Sequence, residues 1–370
     1  MTTILADAYI PYLKEMLSES CRLITYDSQL PKVDDLEIAD ALITRTVTPV
    51  DDTLLDVGKK LKFIGTATAG FDHIDRSTLS ERGIHFRYAP GCNAYSVAEY
   101  VVTAILLWAE KKEIEIDGLS LGLVGCGHAG TSTKKLAEKF GLSVICFDPP
   151  KALRELDFAS ADADDVLECD ILSFHCALDS YPEYPTWHWL NQERISRCKA
   201  KLIINTARGG ITDEKALLSA KKDKSFDLVT DVWENEPDFS RTFMKESFIA
   251  TPHIAGYSVQ AKWKGSRMIA DQLSGFFGFD IPYVPAPAVG KEGELETTDL
   301  ATVLEQLHPI MEYDHRLRQL TAATAPERAK GFLKLRSGFP LRHEYSYMRL
   351  SQKICDSYPK LKHFNFRQDG

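Results

Sequence analysis

Three segments in the second half of the sequence each place one polar residue just after a short apolar run. The polar residues are Arg208, Glu236 and His253, and the runs span residues 201–204, 226–229 and 248–250. Apolar runs of this length, rich in branched and aromatic residues, are typical of buried strands. Because ligands of open α/β sheets bind at the carboxyl ends of the strands, we expect the three side chains to converge on one crevice.

An arginine, a carboxylate and a histidine in one crevice could together move a proton and a hydride. His253 would carry the proton near neutral pH, and Glu236 would fix its tautomer and strengthen its hold on that proton. Arg208 would offer a planar fork of donors to a carboxylate, or to an alcohol oxygen that becomes a carbonyl. Taken singly, each residue is more typical of a turn or a solvated loop. Their order after a nucleotide motif favours a catalytic site.

The nucleotide motif spans residues 125–130, Gly-Cys-Gly-His-Ala-Gly, between a predicted strand at 120–124 and a predicted helix at 131–140. A second predicted strand, 143–147, ends at Asp148. The glycines permit a tight turn and close approach of the backbone to a pyrophosphate, and the helix N-terminus favours the phosphates. Asp148 would accept hydrogen bonds from the ribose hydroxyls and repel a 2′-phosphate. The pattern therefore predicts a dinucleotide site that prefers NAD over NADP.

Other chemically active residues have weaker support. His175 follows a predicted strand and could line the nucleotide site, although a structural role is as consistent with its position. Cys92 lies in a predicted active-site loop, but no base is identifiable beside it. The cluster Trp187, His188 and Trp189 is more typical of a packed surface than of a ligand cage.

The 370-residue chain, long enough for two or three domains, has a formal net charge of −9 and eight cysteines. The charge argues against a nucleic acid or an anionic membrane as partner, because both require a basic face. The N-terminus lacks the pattern of a secretory signal, and no apolar run approaches the ~18–20 residues that span a bilayer. The cysteines show neither C-x-x-C pairs nor zinc-finger spacing. We therefore predict a cytoplasmic protein that binds no metal, no nucleic acid and no membrane.

Short strands alternate with helical segments along most of the chain, which predicts parallel sheets covered by helices. The further strands are predicted at residues 3–6, 23–26, 41–45, 62–66, 85–88 and 170–174. Residues 97–108 have apolar side chains on both helical faces and are predicted to form a buried helix. Three prolines within residues 279–287 indicate a domain boundary. The remaining C-terminal residues are predicted to form a separate small α+β unit.

At Arg208, Glu236, His253 and the nucleotide motif, the sequence resembles the D-isomer-specific 2-hydroxyacid dehydrogenases. The resemblance implies an α/β fold in which a Rossmann NAD-binding domain is inserted in a flavodoxin-like substrate domain, and the narrower branch described below adds a small C-terminal α+β dimerisation domain. The implied bounds are 1–94 and 257–283 for the substrate domain, 95–256 for the NAD-binding domain and 284–370 for the C-terminal domain. It also implies that the three polar residues are catalytic, that NAD is the cofactor and that the chain forms a homodimer.

Residues 65–70, 90–94, 149–150 and 253–257 narrow the resemblance to a branch that oxidises a phosphorylated four-carbon 2-hydroxy acid during pyridoxal phosphate (vitamin B6) biosynthesis. Matching positions imply that Thr46, Thr68 and Tyr257 contact the substrate. The implied NAD contacts are Gly125, Gly127, His128, Ala129, Gly130, Asp148, Cys176, Thr206, Ala207, Arg208, Asp231 and Gly256. Cys176 replaces the family's usual threonine, and Thr46 replaces a usual serine but keeps the hydroxyl.

A substrate phosphate would require local positive charge in this acidic protein. Arg45 is the nearest candidate, and Arg336 and Arg342 in the C-terminal region could supply a guanidinium within one chain or across a dimer interface. An ordinary surface role is equally consistent with these two arginines. The sequence also leaves open a glycerate, lactate or phosphoglycerate dehydrogenase, and an NAD-sensing binding protein of the corepressor type.

Overall fold

The computed structural model describes residues 1–17, 21–178, 183–287 and 299–366. The chain forms two compact units. The first unit consists of Met1–Asn93 and Ser258–Ala288, and the second consists of Ala94–Tyr257 and Val289–Gly370. The first unit is therefore discontinuous in sequence, as expected for a domain that receives an insertion.

Eleven strands form within the described residues, close to the positions that the apolar runs predicted. They are β1 (Thr3–Asp7), β2 (Arg22–Tyr26), β3 (Ala41–Thr44), β4 (Phe63–Thr66), β5 (His85–Tyr88), β6 (Ser120–Val124), β7 (Ser143–Phe147), β8 (Ile171–Phe174), β9 (Leu202–Asn205), β10 (Asp227–Thr230) and β11 (Ile249–Ala250).

Helices connect the strands in both units. They are α1 (Leu13–Leu17), α2 (Val33–Ile38), α3 (Asp52–Val57), α4 (Arg76–Glu81), α5 (Ala94–Lys112), α6 (His128–Lys139), α7 (Pro149–Ala152), α8 (Ala163–Leu167), α9 (Gln192–Arg197), α10 (Glu214–Ala220), α11 (Arg241–Glu246), α12 (Val259–Phe277), α13 (Leu300–Leu307), α14 (Ile310–Gln319), α15 (Ala325–Ser337) and α16 (Gln352–Ser357). Short 3-10 helices add Gly209–Ile211, Leu320–Ala322, Tyr345–Tyr347 and Pro359–Phe364. None of the described helices combines the length and apolarity that a transmembrane span requires.

The sheet of the first unit is parallel and has the strand order β2-β1-β3-β4-β5, which is the flavodoxin-like order. Successive residues of β1 pack into cores on opposite faces, Ile4 and Ala6 on one side and Leu5 on the other. Both faces are therefore covered, as expected of a parallel sheet. The flavodoxin-like substrate domain predicted from the sequence is confirmed.

The sheet of the second unit is also parallel, in the order β11-β10-β9-β8-β6-β7. The connection reverses direction at β6, whose neighbours are β7 and β8. In a Rossmann-type sheet this switch point opens the crevice that binds a dinucleotide at the carboxyl ends of the strands. The glycine-rich motif follows β6, and the three catalytic candidates follow β9, β10 and β11. The Rossmann prediction is confirmed.

The C-terminal region packs on α5, the helix predicted to be buried. Residues 94, 96–109 of α5 are buried, and their apolar side chains share one core with α13, Tyr345 and Phe364. Beside this core, Arg342 forms a buried ion pair with Glu99 at 2.5 Å. Burial raises the pKa of Glu99 to about 7, against the opposing effect of Arg342. C-terminal residues thus contribute to the interior of the second unit.

The regular elements described between residues 299 and 366 are all helices, and the predicted α+β character of the C-terminal unit stays a prediction. Apolar side chains there recur at helical rather than alternating spacing, as Val303, Leu304 and Leu307 in α13 illustrate. Each helix is short and buries only a narrow apolar face. The division into three domains, with a separate C-terminal domain, stays a prediction.

Candidate active site

The three glycines of the loop after β6 differ in their surroundings. Gly125 has a φ of 93°, which glycine adopts without strain, and a Cβ there would lie 2.5 Å from the backbone nitrogen of Cys176. A Cβ on Gly130 would lie 2.1 Å from the carbonyl oxygen of Gly125. A Cβ on Gly127 would meet no described atom within 4 Å. The first and third glycines therefore shape the loop, while the second borders open space.

That open space lies at the N-terminus of α6, for which Gly127 is the N-cap. The first turn of a helix presents unpaired N–H groups and positive partial charge to an anion. Asp148, which follows β7, accepts a hydrogen bond from the backbone N–H of Cys126 at 2.7 Å and from that of Lys151 at 3.0 Å. The carboxylate is thereby held against the loop. The glycines, helix end and acid fit the pyrophosphate and ribose of NAD.

Polar atoms around the loop add to this fit. Oγ1 of Thr206 is buried without a hydrogen-bond partner within the described ranges, as expected of a group that meets a ligand. His175 lies beside Gly130, and burial lowers its pKa to about 3, so the imidazole is neutral. Burial raises the pKa of Cys176 to about 12, so this residue is a thiol. Neither side chain brings a charge to the nucleotide site.

Arg208 lies in a loop that two neighbouring residues hold in place. The buried Asn205 accepts a hydrogen bond from the backbone N–H of Ala207 at 3.1 Å and donates to the carbonyl oxygen of Arg208 at 2.8 Å. A Cβ on Gly209 would lie 1.9 Å from the carbonyl oxygen of Trp233. Only glycine therefore lets the loop after β9 contact the loop after β10 so closely.

Glu236 and His253 form a direct pair. Oε2 of Glu236 lies 2.8 Å from Nδ1 of His253, and Oε1 accepts a hydrogen bond from the backbone N–H of Trp233 at 3.1 Å. Burial opposes ionisation of Glu236, but His253 and Arg336 hold its pKa below the usual range. His253 has a φ of 58°, which is uncommon outside glycine and is found where function constrains a backbone. The pairing that the sequence suggested is present in the structure.

Asp231 organises the turn that carries His253. Its carboxylate accepts hydrogen bonds from Oγ1 of Thr251 at 2.6 Å and from the backbone N–H groups of Ile254 at 2.8 Å and Ala255 at 3.0 Å. Its carbonyl oxygen accepts from the backbone N–H of His253 at 2.8 Å. Burial raises the pKa of Asp231. Its carboxylate shapes the turn, while the implied NAD contacts of Asp231 and Gly256 stay predictions.

Tyr257 follows this turn and meets a residue of the C-terminal region. Its hydroxyl accepts a hydrogen bond from Nε of Arg336 at 3.2 Å, and its backbone N–H donates to the carbonyl oxygen of Ile254 at 2.9 Å. Arg336, one of the arginines considered for the substrate phosphate, therefore lies in the same unit as Glu236 and His253. Arg342, the second C-terminal arginine considered, is buried against Glu99.

The remaining candidates lie in the first unit. Arg45 follows β3, and its Nε lies 2.9 Å from Oδ1 of the buried Asp7. Thr46 is exposed next to it. Thr68 follows β4 and donates from its hydroxyl to the carbonyl oxygen of Gly70 at 2.7 Å. Both segments lie at carboxyl ends of strands, as predicted, but the charge of Arg45 is already balanced by Asp7.

Sequence reasoning missed a carboxylate pair next to Glu236. Oε1 of Glu234 accepts the backbone N–H of Glu214 at 3.0 Å, and Oε1 of Glu214 accepts that of Glu234 at 3.0 Å. His188 lies between Glu234, 3.1 Å from Nε2, and Asp213, 3.6 Å from Nδ1. The two ring nitrogens face different carboxylates, which suits hydrogen bonding more than one shared metal. The sequence signal that could have indicated this pair was a second glutamate, Glu234, two residues before Glu236.

The chain is similar in sequence to a known family of dehydrogenases. Residues 101–255 match the family model of the D-isomer specific 2-hydroxyacid dehydrogenase, NAD binding domain. The chain is 33% identical over 360 residues to erythronate-4-phosphate dehydrogenase of Tolumonas auensis, covering 95% of each chain. It is 35% identical over 375 residues to erythronate-4-phosphate dehydrogenase of Klebsiella pneumoniae, covering 98% of this chain and 97% of that one.

Solved structures with the same architecture cover less of the chain. D-lactate dehydrogenase of Aquifex aeolicus, complexed with NAD and lactic acid, has a TM-score of 0.62 at 26% identity and covers 75% of this chain and 96% of its own. NAD-bound 3-phosphoglycerate dehydrogenase of Entamoeba histolytica has a TM-score of 0.63 at 25% identity, covering 75% of this chain and 95% of its own. These enzymes leave about a quarter of the chain unmatched.

Proposed function

This chain belongs to the D-isomer-specific 2-hydroxyacid dehydrogenase family, within the erythronate-4-phosphate dehydrogenases, and we propose that it oxidises 4-phospho-D-erythronate with NAD. The product is 2-oxo-3-hydroxy-4-phosphobutanoate, an intermediate of pyridoxal phosphate biosynthesis. The observation that carries the reaction class is the 2.8 Å contact between Nδ1 of His253 and Glu236, in the unit that bears the nucleotide motif. Relatives that match nearly the whole chain support the substrate.

The pairing of Glu236 with His253 determines which ring nitrogen can accept the substrate proton. When the carboxylate of Glu236 accepts a hydrogen bond from Nδ1–H, the other ring nitrogen of His253 keeps its lone pair and can take the proton of the C2 hydroxyl. The resulting imidazolium is stabilised by the ionised Glu236. Bound NAD supplies the hydride acceptor, and the hydride leaves C2 of the substrate. In the reverse reaction, protonated His253 returns the proton to the carbonyl oxygen.

Arg208 orients the reacting end of the substrate. Its guanidinium can bind the C1 carboxylate as a fork and favour the developing carbonyl at C2. The contacts of Asn205 and Gly209 fix the loop that presents it. The loop after β6 and the N-terminus of α6 would hold the cofactor, and Asp148 would select NAD over NADP. We place Thr46, Thr68 and Tyr257 among the substrate contacts.

We further propose that the chain works in the cytoplasm as a homodimer that uses the C-terminal region. All eight cysteines are free thiols, which is consistent with a reducing compartment. Light scattering on the full chain tests the assembly, because a monomer at micromolar concentration would contradict the homodimer.

The substrate is tested by NADH formation with 4-phospho-D-erythronate, D-erythronate, D-glycerate, D-lactate and 3-phospho-D-glycerate. We expect the highest kcat/KM with 4-phospho-D-erythronate. A higher value with any other acid would assign the chain to another dehydrogenase of the family. Tight NAD binding without turnover of any acid would instead indicate a corepressor-like binding protein.

A further inference from the structure

The end of α15 packs against the turn that follows His253. Ile254, Tyr313 and Phe339 form a small buried cluster there, and Leu335 and Tyr257 pack on its edge. The hydroxyl of Tyr313 donates to the carbonyl oxygen of Gly338 at 3.1 Å, which ties the end of α15 to α14. We call residues 253–257 the catalytic turn. Packing by the C-terminal region therefore holds the last turn of α15 next to the catalytic turn.

Arg336 is the charged residue that this packing presents. Its Nε donates to the hydroxyl of Tyr257 at 3.2 Å, and Tyr257 is fixed to the catalytic turn through Ile254. Burial lowers the pKa of Arg336, but Tyr257, Glu236 and Asp231 raise it by more. The pKa of Arg336 therefore lies above its usual value. The guanidinium is thus charged and within electrostatic range of the carboxylate that pairs with His253.

Three arginines were candidates for the substrate phosphate, and their partners distinguish them. Arg45 is paired with the buried Asp7, and Arg342 is paired with the buried Glu99. Arg336 instead donates to a neutral phenol, and across the described ranges it has no ion pair and no other hydrogen bond. Its Nη groups can therefore serve as donors to an added anion, whereas the other two charges are already compensated.

The position of Arg336 in the sequence, outside the region that the family model matches, indicates a role in selecting the substrate. Arg208, Glu236 and His253 all lie within residues 101–255, which the family model matches, and Arg336 lies outside them. Hydride transfer is common to the family and needs only the shared residues. A cation added from outside this region is suited to recognise a group that distinguishes one hydroxyacid from another.

We propose that Arg336, together with the hydroxyl of Tyr257, binds the phosphate group of the substrate and selects the phosphorylated acid over its dephosphorylated analogue. The inference rests on the proposed oxidation of 4-phospho-D-erythronate and deepens it. A guanidinium suits this task because its planar donors bind phosphate oxygens in pairs, which a lysine cannot reproduce. Tyr257 orients the guanidinium through Nε and leaves its outer edge to the phosphate.

The test compares Arg336→Ala, Arg336→Lys and the control Lys334→Ala, which removes an exposed positive charge from the same helix. KM is measured for 4-phospho-D-erythronate, and the inhibition constant is measured for D-erythronate as a competitor. We expect Arg336→Ala to raise KM roughly 10- to 100-fold, the effect of losing hydrogen bonds to a charged group. The constant for D-erythronate and the Lys334→Ala values should stay at those of the wild type, and Arg336→Lys should be intermediate.

Equal changes for both acids would mean that Arg336 binds the shared C1 carboxylate or shapes the site, and would overturn the phosphate assignment. No change for either acid would overturn it as well. NAD affinity and the thermal midpoint of each variant report whether it is folded, and Tyr257→Phe supplies a second variant that keeps the guanidinium. Failure of the wild type to oxidise 4-phospho-D-erythronate is a separate outcome, which rejects the proposed function.

Discussion

The carboxylate of Glu236 lies 2.8 Å from Nδ1 of His253, while its other oxygen is held by the backbone N–H of Trp233 at 3.1 Å. The imidazole is therefore oriented by a group that is itself fixed. Asp231, which follows the neighbouring strand β10, holds the backbone of His253, because its carbonyl oxygen accepts the backbone N–H of His253 at 2.8 Å. The side chain and the backbone of His253 are thus both constrained by residues of one loop, 231–236.

His253→Ala should abolish turnover while NAD binding persists. In the proposed mechanism the ring takes the substrate proton, and the nucleotide loop is formed by other residues. Loss of a positioned general base costs about 100- to 10,000-fold in kcat. Steady-state rates and NAD titration by fluorescence measure the two effects. Wild-type kcat in this variant would contradict the assigned role.

Glu236→Gln should change the pH dependence of the reaction. The amide cannot stabilise a protonated His253, so reduction of the 2-oxo acid, which uses the protonated ring, should weaken first as pH rises. We expect kcat/KM for reduction to begin its fall at lower pH than in the wild type. For comparison, Glu193→Gln removes an exposed carboxylate from α9 and should leave the profile unchanged. Superimposable profiles of Glu236→Gln and wild type would contradict the pairing.

The strands and the positions of the three catalytic candidates were predictable because both depend on local sequence. Short apolar runs are typical of strands that are buried on both faces, as in a parallel sheet, and parallel strands bring their carboxyl ends to one edge. This reasoning placed Arg208, Glu236 and His253 correctly at the ends of β9, β10 and β11. The role of the glycine motif was predictable because its spacing is recognisable in the sequence. The structure supplies the physical reason for two of the glycines, Gly125 and Gly130, where a side chain would collide with the backbone.

The remaining contacts depend on pairs that are distant in sequence. Arg336 and Tyr257 are separated by 79 residues, and the sequence of α15, in which Phe332 is buried, does not indicate which loop the helix meets. The same limit applies to Arg45, whose neutralisation by Asp7 requires knowledge of the strand order.

Asp148→Asn should relax the preference for NAD. The carboxylate lies against the glycine loop through Cys126, and the ammonium of Lys151 donates to the carbonyl oxygen of Cys126 at 2.8 Å. Once the negative charge is removed, Lys151 can attract a 2′-phosphate. We expect the ratio of kcat/KM for NAD to that for NADP to fall about tenfold or more. Asp157→Asn, which neutralises an exposed aspartate, is the matched control.

Gly127→Ala and Gly130→Ala should separate nucleotide binding from stability. A methyl group on Gly127 meets no described atom within 4 Å, so this variant should keep the thermal midpoint but weaken NAD binding by occupying the open space. A methyl group on Gly130 would lie 2.1 Å from the carbonyl oxygen of Gly125, so this variant should lose stability. Calorimetry and NAD titration on both variants measure the difference. Undiminished NAD affinity in Gly127→Ala would place the pyrophosphate elsewhere.

Glu214→Gln should make the protein more stable at alkaline pH. Burial raises the pKa of Glu214 to about 7, the backbone N–H of Glu234 opposes this shift, and the carboxylates of Glu234, Asp213 and Glu236 add to it. The pKa of Glu214 in the folded protein lies above its value of about 4.3 in the unfolded chain. The contribution of the protonated group to the unfolding free energy is therefore fully present below about pH 4.3, and it is lost as pH rises through about 7.

The glutamine keeps an oxygen for the N–H of Glu234 but cannot ionise, so it lacks this loss. From pH 5 to pH 8, the unfolding free energy of wild type relative to Glu214→Gln should therefore fall by roughly 1–3 kcal/mol. Urea denaturation of both proteins at the two pH values measures the change, and Glu110→Gln, at an exposed position on α5, controls for loss of charge alone. A difference that does not vary with pH would mean that Glu214 is ionised at the same pH in the folded and unfolded chains, and its reciprocal bonds with Glu234 would then offset the cost of burying it.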